Sequence, residues 1–345
     1  MISLPKGLRS VVLGLAFVTV PLHADMVTAV KAREIVQKLS AEARNMLEAD
    51  DFEGLDKKAE EFEKSRAHNE SGVWMIRQFS NALSRPTGNS PGEEEWTDRL
   101  NRLQAWADKS NTPFSMGVLA AAEIGFGYAV RGDGPDKAVD ENRKKYFEGI
   151  LAKAEETLLI ARNRNPDEVD LYRHLLAVGV GRNWPRERME ETLKQGIAVA
   201  PDYYDNYVNM ATYLLERWHG QPGDWQRFMN TIPTLVPGDE GFMAYARTAT
   251  EMVPNLNSLP ELLGPDDNKD RLSWPKIKLG YQALNRAFPD SGMNLNRMAR
   301  MAFVAGDRDT AKIVLKTLDE HDAINPTEWG GQAGLADARK TLGGE

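Results

Sequence analysis

The 345-residue chain is patterned almost throughout by apolar side chains recurring every three or four positions, and the densest such stretch is Pro201–Phe228. Read at helical spacing, Tyr203, Tyr207, Met210 and Leu214 form one stripe, and Tyr204, Val208, Ala211, Leu215 and Trp218 a second beside it. Two adjoining stripes make a wide apolar face, so this helix is expected to be packed on two sides as the inner member of a helical stack. His219-Gly220-Gln221-Pro222-Gly223 ends it, and Asp224 is placed to cap the next helix before Trp225 and Phe228.

The same period predicts helices over Met26–Leu47, around Phe52–Phe62 and around Trp74–Leu83. A loop at Arg85–Gly92 follows, with 86–92 as one possible hinge. Trp96–Trp106 is a helix with three glutamates in its first turn, and Thr112-Pro113 opens a helix rich in small residues that ends at Gly132. Further helices are expected from about Pro135 to Arg164, around Leu171–Val178 and from Pro185 to Ala200. Beyond Phe228, Pro233 predicts a break or kink, and 253–270 is an irregular second hinge candidate. Three helices follow at Trp274–Phe288, Leu295–Ala305 and Thr310–Leu318, then a frayed Gly-rich tail from Asn325. No alternating β-branched run occurs, so the expected class is all-α.

Asn165-Pro166-Asp167, Ala200-Pro201-Asp202 and Phe288-Pro289-Asp290 repeat one design: a helix end, a proline that stops it, and a polar group to cap the next helix. These boundaries resemble those of tetratricopeptide repeats, and Ala305-Gly306-Asp307 resembles the turn within one. Helix pairs of this kind bury their apolar faces only by stacking, which predicts an α-solenoid of antiparallel pairs. Several longer segments carry a more specific resemblance: Gly72-Val73-Trp74, Tyr128–Gly132, Tyr203-Tyr204, Tyr213-Leu214-Leu215, Arg217–Gly220, Gly223-Asp224-Trp225 and Phe288–Ser291. In these the chain resembles the bacterial family called domain of unknown function 4034. That resemblance implies a tetratricopeptide-like fold and no known activity.

Lys6 and Arg9 ahead of the apolar run Val11–Val20, with Ala24 before Asp25, predict a signal peptide over 1–24 and a helical-repeat domain over 25–345. The apolar run is about half of the roughly 20 residues that span a bilayer, so no stable membrane span is expected after cleavage. Export to the periplasm or outside follows as the expected location. Losing Lys6 and Arg9 takes the net charge from −8 to −10, which argues against a nucleic-acid partner. The chain has no cysteine, which excludes disulfides, thiolate metal sites and a cysteine nucleophile.

Candidate chemistry is sparse. Glu216 and His219 form Glu-x-x-His with Asp224 nearby, which allows a hydrolase or metal-dependent enzyme; a turn histidine at a helix end is the plainer reading. Asp170 and His174 stand at i, i+4. Asp266-x-Asn268-x-Asp270 opens like a calcium loop, but Arg271 and Ile277 occupy its Gly and Glu positions. Ser273-Trp274-Pro275-Lys276 matches Ser-x-x-Lys without companion motifs and reads as a helix cap, and Gly125-x-Gly127 and Gly179-x-Gly181 read as close-packing glycines. Of the aromatic cluster, Tyr213 lies off the stripes and is the leading ligand-contact candidate, with Trp218, His219, Asp224 and Trp225 beside it. The expected function is a non-enzymatic scaffold that binds a protein or peptide, with no cofactor and no catalytic or metal residues assigned.

Overall fold

The computed structural model describes residues 26–88, 90–132, 139–252, 260–264 and 268–343. The predicted signal peptide and most of the 253–270 hinge lie outside them.

Fifteen α-helices are present among the described residues: α1 (Ala29–Glu48), α2 (Phe52–Lys64), α3 (Met75–Ser84), α4 (Glu93–Ser110), α5 (Pro113–Arg131), α6 (Glu141–Arg164), α7 (Leu171–Gly181), α8 (Arg186–Val199), α9 (Asp205–Tyr213), α10 (Asp224–Leu235), α11 (Asp239–Met252), α12 (Trp274–Ala287), α13 (Gly292–Val304), α14 (Arg308–Glu320) and α15 (Gln332–Gly343). The fold is an all-α helical-repeat solenoid. Its only described strands are the two-residue pair β1 (Leu263–Gly264) and β2 (Leu272–Ser273), joined in parallel, which the absence of β-branched runs did not signal. Local chemistry starts the helices as expected. Thr112 accepts from Ser115 N ahead of Pro113, Ser273 from Lys276 N ahead of Pro275, and Asp307 from Thr310 N. Ser273 is therefore a helix cap.

Repetition is visible in the helix ends. α6, α8 and α10 each stop on an extended residue, Asn165, Ala200 and Val236, whose N–H bonds the carbonyl four residues back; each is followed by proline. Pro166, Pro201 and Pro237 are 35 and 36 residues apart. The Tyr172 and Tyr207 hydroxyls donate back to the carbonyls of Pro166 and Pro201, both at 2.7 Å, so one device recurs in successive repeats. The Pro237 boundary went unread because Pro233, four residues before it, already signalled a break. Pro233 is accommodated inside α10, which ends two residues later.

The odd-numbered helices α1, α3, α5, α7, α9 and α11 pack side by side as one row, and the even-numbered helices pack between and behind them. α5 is long and apolar enough to cross a membrane by length and composition, and its apolar window is largely buried, with α3, α4, α6 and α7 packed around it. Gly125 lies against Trp96 and Gly127 against Phe147, so a Cβ at either would press on a ring. Small residues let these helices approach.

The array also bends until its ends meet. Val27, ahead of α1, donates to the Asp290 carbonyl at 2.7 Å and accepts from Gly292 N at 3.2 Å. Asn294 Nδ2 donates to the Ser71 carbonyl, and the Phe288 ring covers Gly72 and lies 5.9 Å from His68. Gly72 is at φ +81°, a conformation strained for other residues, and a Cβ there would meet the Phe288 ring. Two resemblance-bearing segments, Gly72-Val73-Trp74 and Phe288–Ser291, are thus neighbours in space. The tail is not frayed: a 3₁₀ turn at Pro326–Trp329 leads into α15, which buries Leu335, Ala338 and Leu342.

Candidate functional site

Three hollows lie along the row of odd-numbered helices and share their walls. One, of about 510 Å³, is bounded by α3, α5, α7 and α9. A second, of about 640 Å³, lies between α1, α3 and the following loop, and joins the first at Asn81 and Arg85. The third, of about 40 Å³, lies between α3, α9 and α11, and touches the others through Arg77 and Asp205. Together they make one groove. Arg44, Arg77, Arg85, Arg173 and Arg247 line it, against only Asp205 and Glu251 among the described carboxylates. The groove is cationic in a chain whose net charge is −8.

The wall of the hollow between α3, α5, α7 and α9 is fixed from beneath by a buried polar network. Asp170, at the start of α7, accepts from Arg173 Nε at 2.6 Å, from Arg173 Nη2 at 3.1 Å, from His174 Nε2 at 3.0 Å and from the Tyr203 hydroxyl. Arg173 also donates to Asn81 Oδ1 at 3.1 Å and Ser80 Oγ at 3.0 Å, which ties α7 to α3. Asn209 Nδ2 donates to the Arg173 carbonyl, tying in α9, and Arg77 Nε meets Asp205 Oδ2 at 2.5 Å. Burial alone would raise the Asp170 pKa; Arg173 and His174 overcome it and hold the carboxyl far below the usual range. Burial, then the Arg173 charge, lowers the His174 pKa and keeps the ring neutral, with its proton on Nε2 toward Asp170. Asp170 and His174, singled out by spacing, therefore position Arg173 and Asn209 at the groove.

The other predicted site residues do not converge. The central helix ends at Tyr213, not Trp218, because the chain turns at once: His219 N bonds the Tyr213 carbonyl and Gly220 N the Leu215 carbonyl. Tyr213, the leading ligand-contact candidate, sits in the core, 5 % exposed with its hydroxyl donating to the Trp184 carbonyl at 2.8 Å. Trp225 is buried too. Trp218 is half-buried and turns edge-on to Tyr128, 6.4 Å away, with the Arg131 guanidinium over its ring. His219 Nε2 donates to the Val180 carbonyl at 2.7 Å and so serves one of the free acceptors at the end of α7. Asp224 does not cap α10, since Gly223, at φ +79°, holds the cap position; Asp224 accepts from Gln221 N and from Arg227. Glu216 is exposed. Each member of the proposed Glu216, His219, Asp224 set is thus engaged elsewhere or points to solvent.

Asp266 lies outside the described residues. Of its companions in the calcium-like motif, Asn268 Oδ1 accepts from Asp270 N, and Asp270 Oδ1 accepts from Arg227 Nη1. No group of three or more His, Asp or Glu among the described residues is arranged to hold a metal ion.

The fold places the chain among the helical-repeat solenoids. Comparison with known protein families, with curated proteins and with solved structures returned no match.

Proposed function

We propose that this protein is a non-enzymatic scaffold that binds an extended, acidic protein or peptide segment in the groove along its odd-numbered helices. The observation that carries the reading is the continuity of the three hollows across α1, α3, α5, α7, α9 and α11. An open trough with arginines and asparagines on successive helices suits a chain that runs along it, whereas a compact small molecule calls for one enclosed apolar pocket. Five arginines against two carboxylates favour an acidic occupant, and the net negative charge of the whole chain opposes a long nucleic acid.

The tetratricopeptide-like character is supported by the 35- and 36-residue spacing of the proline boundaries. The basic-then-apolar N-terminus supports export to the periplasm or outside.

Ala177 lines the hollow between α3, α5, α7 and α9 and is only half-buried. Ala177→Trp should fill the trough without disturbing the core. Peptides selected on the parent from a random library are expected to lose at least about tenfold in affinity for this variant, with its melting temperature unchanged, because a blocked groove excludes them sterically. Undiminished binding would place their site elsewhere.

A further inference from the structure

The smallest hollow holds an unbalanced cation. Arg247, on α11, is 3 % exposed and lines the hollow, and among the described residues neither its Nε nor its Nη2 has an acceptor, although the Glu70 and Glu251 charges act on it from nearby. Its guanidinium carbon lies 5.6 Å from the centre of the Tyr204 ring, whose face supplies attraction but no lone pair. The two carboxylates that line the same hollow are engaged by other arginines: Asp205 by Arg77 at 2.5 Å and Glu251 by Arg297 at 3.0 Å. Burial, and then the nearby Arg297 charge, push the Arg247 pKa down, so the surroundings disfavour a charge that arginine does not readily give up. Buried N–H groups without acceptors are costly, and a native protein keeps them where something else completes them.

We propose that this hollow is a carboxylate-binding pocket, in which Arg247 takes an acidic side chain or the terminal carboxylate of the segment bound in the groove. The assignment rests on the groove reading for the source of the carboxylate, but the site itself does not. Size selects the ligand: about 40 Å³ is room for a few water-sized groups, which suits a planar carboxylate and excludes a phosphate ester with its attached sugar or base. Shape agrees, because a guanidinium presents paired N–H donors to a carboxylate as a fork. Trp74 and Val208 complete the walls with apolar surface, which keeps water from screening the pair.

The test uses acetate as the probe. Thermal unfolding of the parent, Arg247→Gln and Arg247→Lys is followed in sodium acetate, sodium chloride and sodium sulfate at equal ionic strength. Acetate is expected to raise the parent's melting temperature above its value in chloride by about 2 °C more than it raises that of Arg247→Gln, whereas sulfate, which stabilises folded proteins by exclusion from their surface, is expected to raise both equally. Arg247→Gln should lose the acetate response while melting no lower than the parent in chloride, since it removes a buried charge that has no partner. Should Arg247→Gln fold poorly, Arg247→Lys, which keeps the charge but not the fork, must weaken acetate binding at least about tenfold. An acetate response unchanged by either variant, no acetate response in the parent, or a sulfate response that Arg247→Gln loses as fully as the acetate one would each overturn the assignment. A groove that captures peptides without acidic side chains and with amidated C-termini as tightly as acidic ones overturns this pocket and leaves the groove standing. An acetate response without any peptide capture has the opposite meaning.

Discussion

Asp170 shows at the scale of one residue how a buried charge organises this molecule. It is fully enclosed and satisfied by four donors from Arg173, His174 and Tyr203, so removing its charge leaves the Arg173 cation in the core without its principal partner. Asp170→Asn should therefore cost about 3–5 kcal/mol in a urea titration; a loss under 1 kcal/mol would mean that Ser80, Asn81 and Asp205 suffice to hold Arg173. The spacing of Asp170 and His174 was legible in the sequence; the part played by Arg173 between them was not. Tyr203, 33 residues on, was legible only as an apolar ring, because nothing local joins its hydroxyl to Asp170. A neighbouring pair has the opposite electrostatic sign. Glu63 and Glu168 share a hydrogen bond, and burial first, then the other's charge at Glu168, raises the Glu168 pKa well above the ordinary 4.5. The folded state then holds protons that the unfolded chain has released, so stability falls as pH rises from about 4.5 through the raised folded values. Glu168→Gln should melt higher than the parent at pH 7, with the advantage gone by pH 4. An advantage independent of pH would contradict the shared proton.

At the scale of elements, periodicity located the helices because most pack on one side and keep a polar face. It misplaced the end of α9 because Leu214 and Leu215 are buried within the turn itself and prolong the apolar pattern past the last helical residue. The signal in Gly220-Gln221-Pro222-Gly223 comes after the chain has already turned. The turn is held instead by groups from other repeats, Val180 for His219 and Tyr128 with Arg131 for Trp218. Trp218 is only half-buried, so Trp218→Ala should cost about 2 kcal/mol, below the 3–5 kcal/mol of a fully buried ring. His219→Ala should cost about 1 kcal/mol for the lost hydrogen bond to Val180. Guanidinium titrations of both variants check the order. A His219→Ala variant as stable as the parent would remove the helix-end role assigned to that ring.

At the scale of the whole molecule, the stacking of pairs was readable from the proline boundaries, but the meeting of the two ends was not. Val27 and Asp290 are joined by backbone groups, which carry no side-chain signature. The groove was hidden for a related reason. Arg44, Arg77, Arg85, Arg173 and Arg247 are scattered over some 200 residues, so composition reports an acidic protein while the fold gathers its arginines on one surface. That gathering makes the functional claim testable as a pattern over the structure. Amide hydrogen exchange should be followed on the parent alone and saturated with a library-selected acidic peptide. Added protection is expected on the peptide segments spanning α3, α7, α9 and α11, with exchange on α2, α4, α8 and α14 unchanged. Protection confined to the even-numbered helices, or spread evenly over both rows, would contradict a binding site on the odd-numbered face.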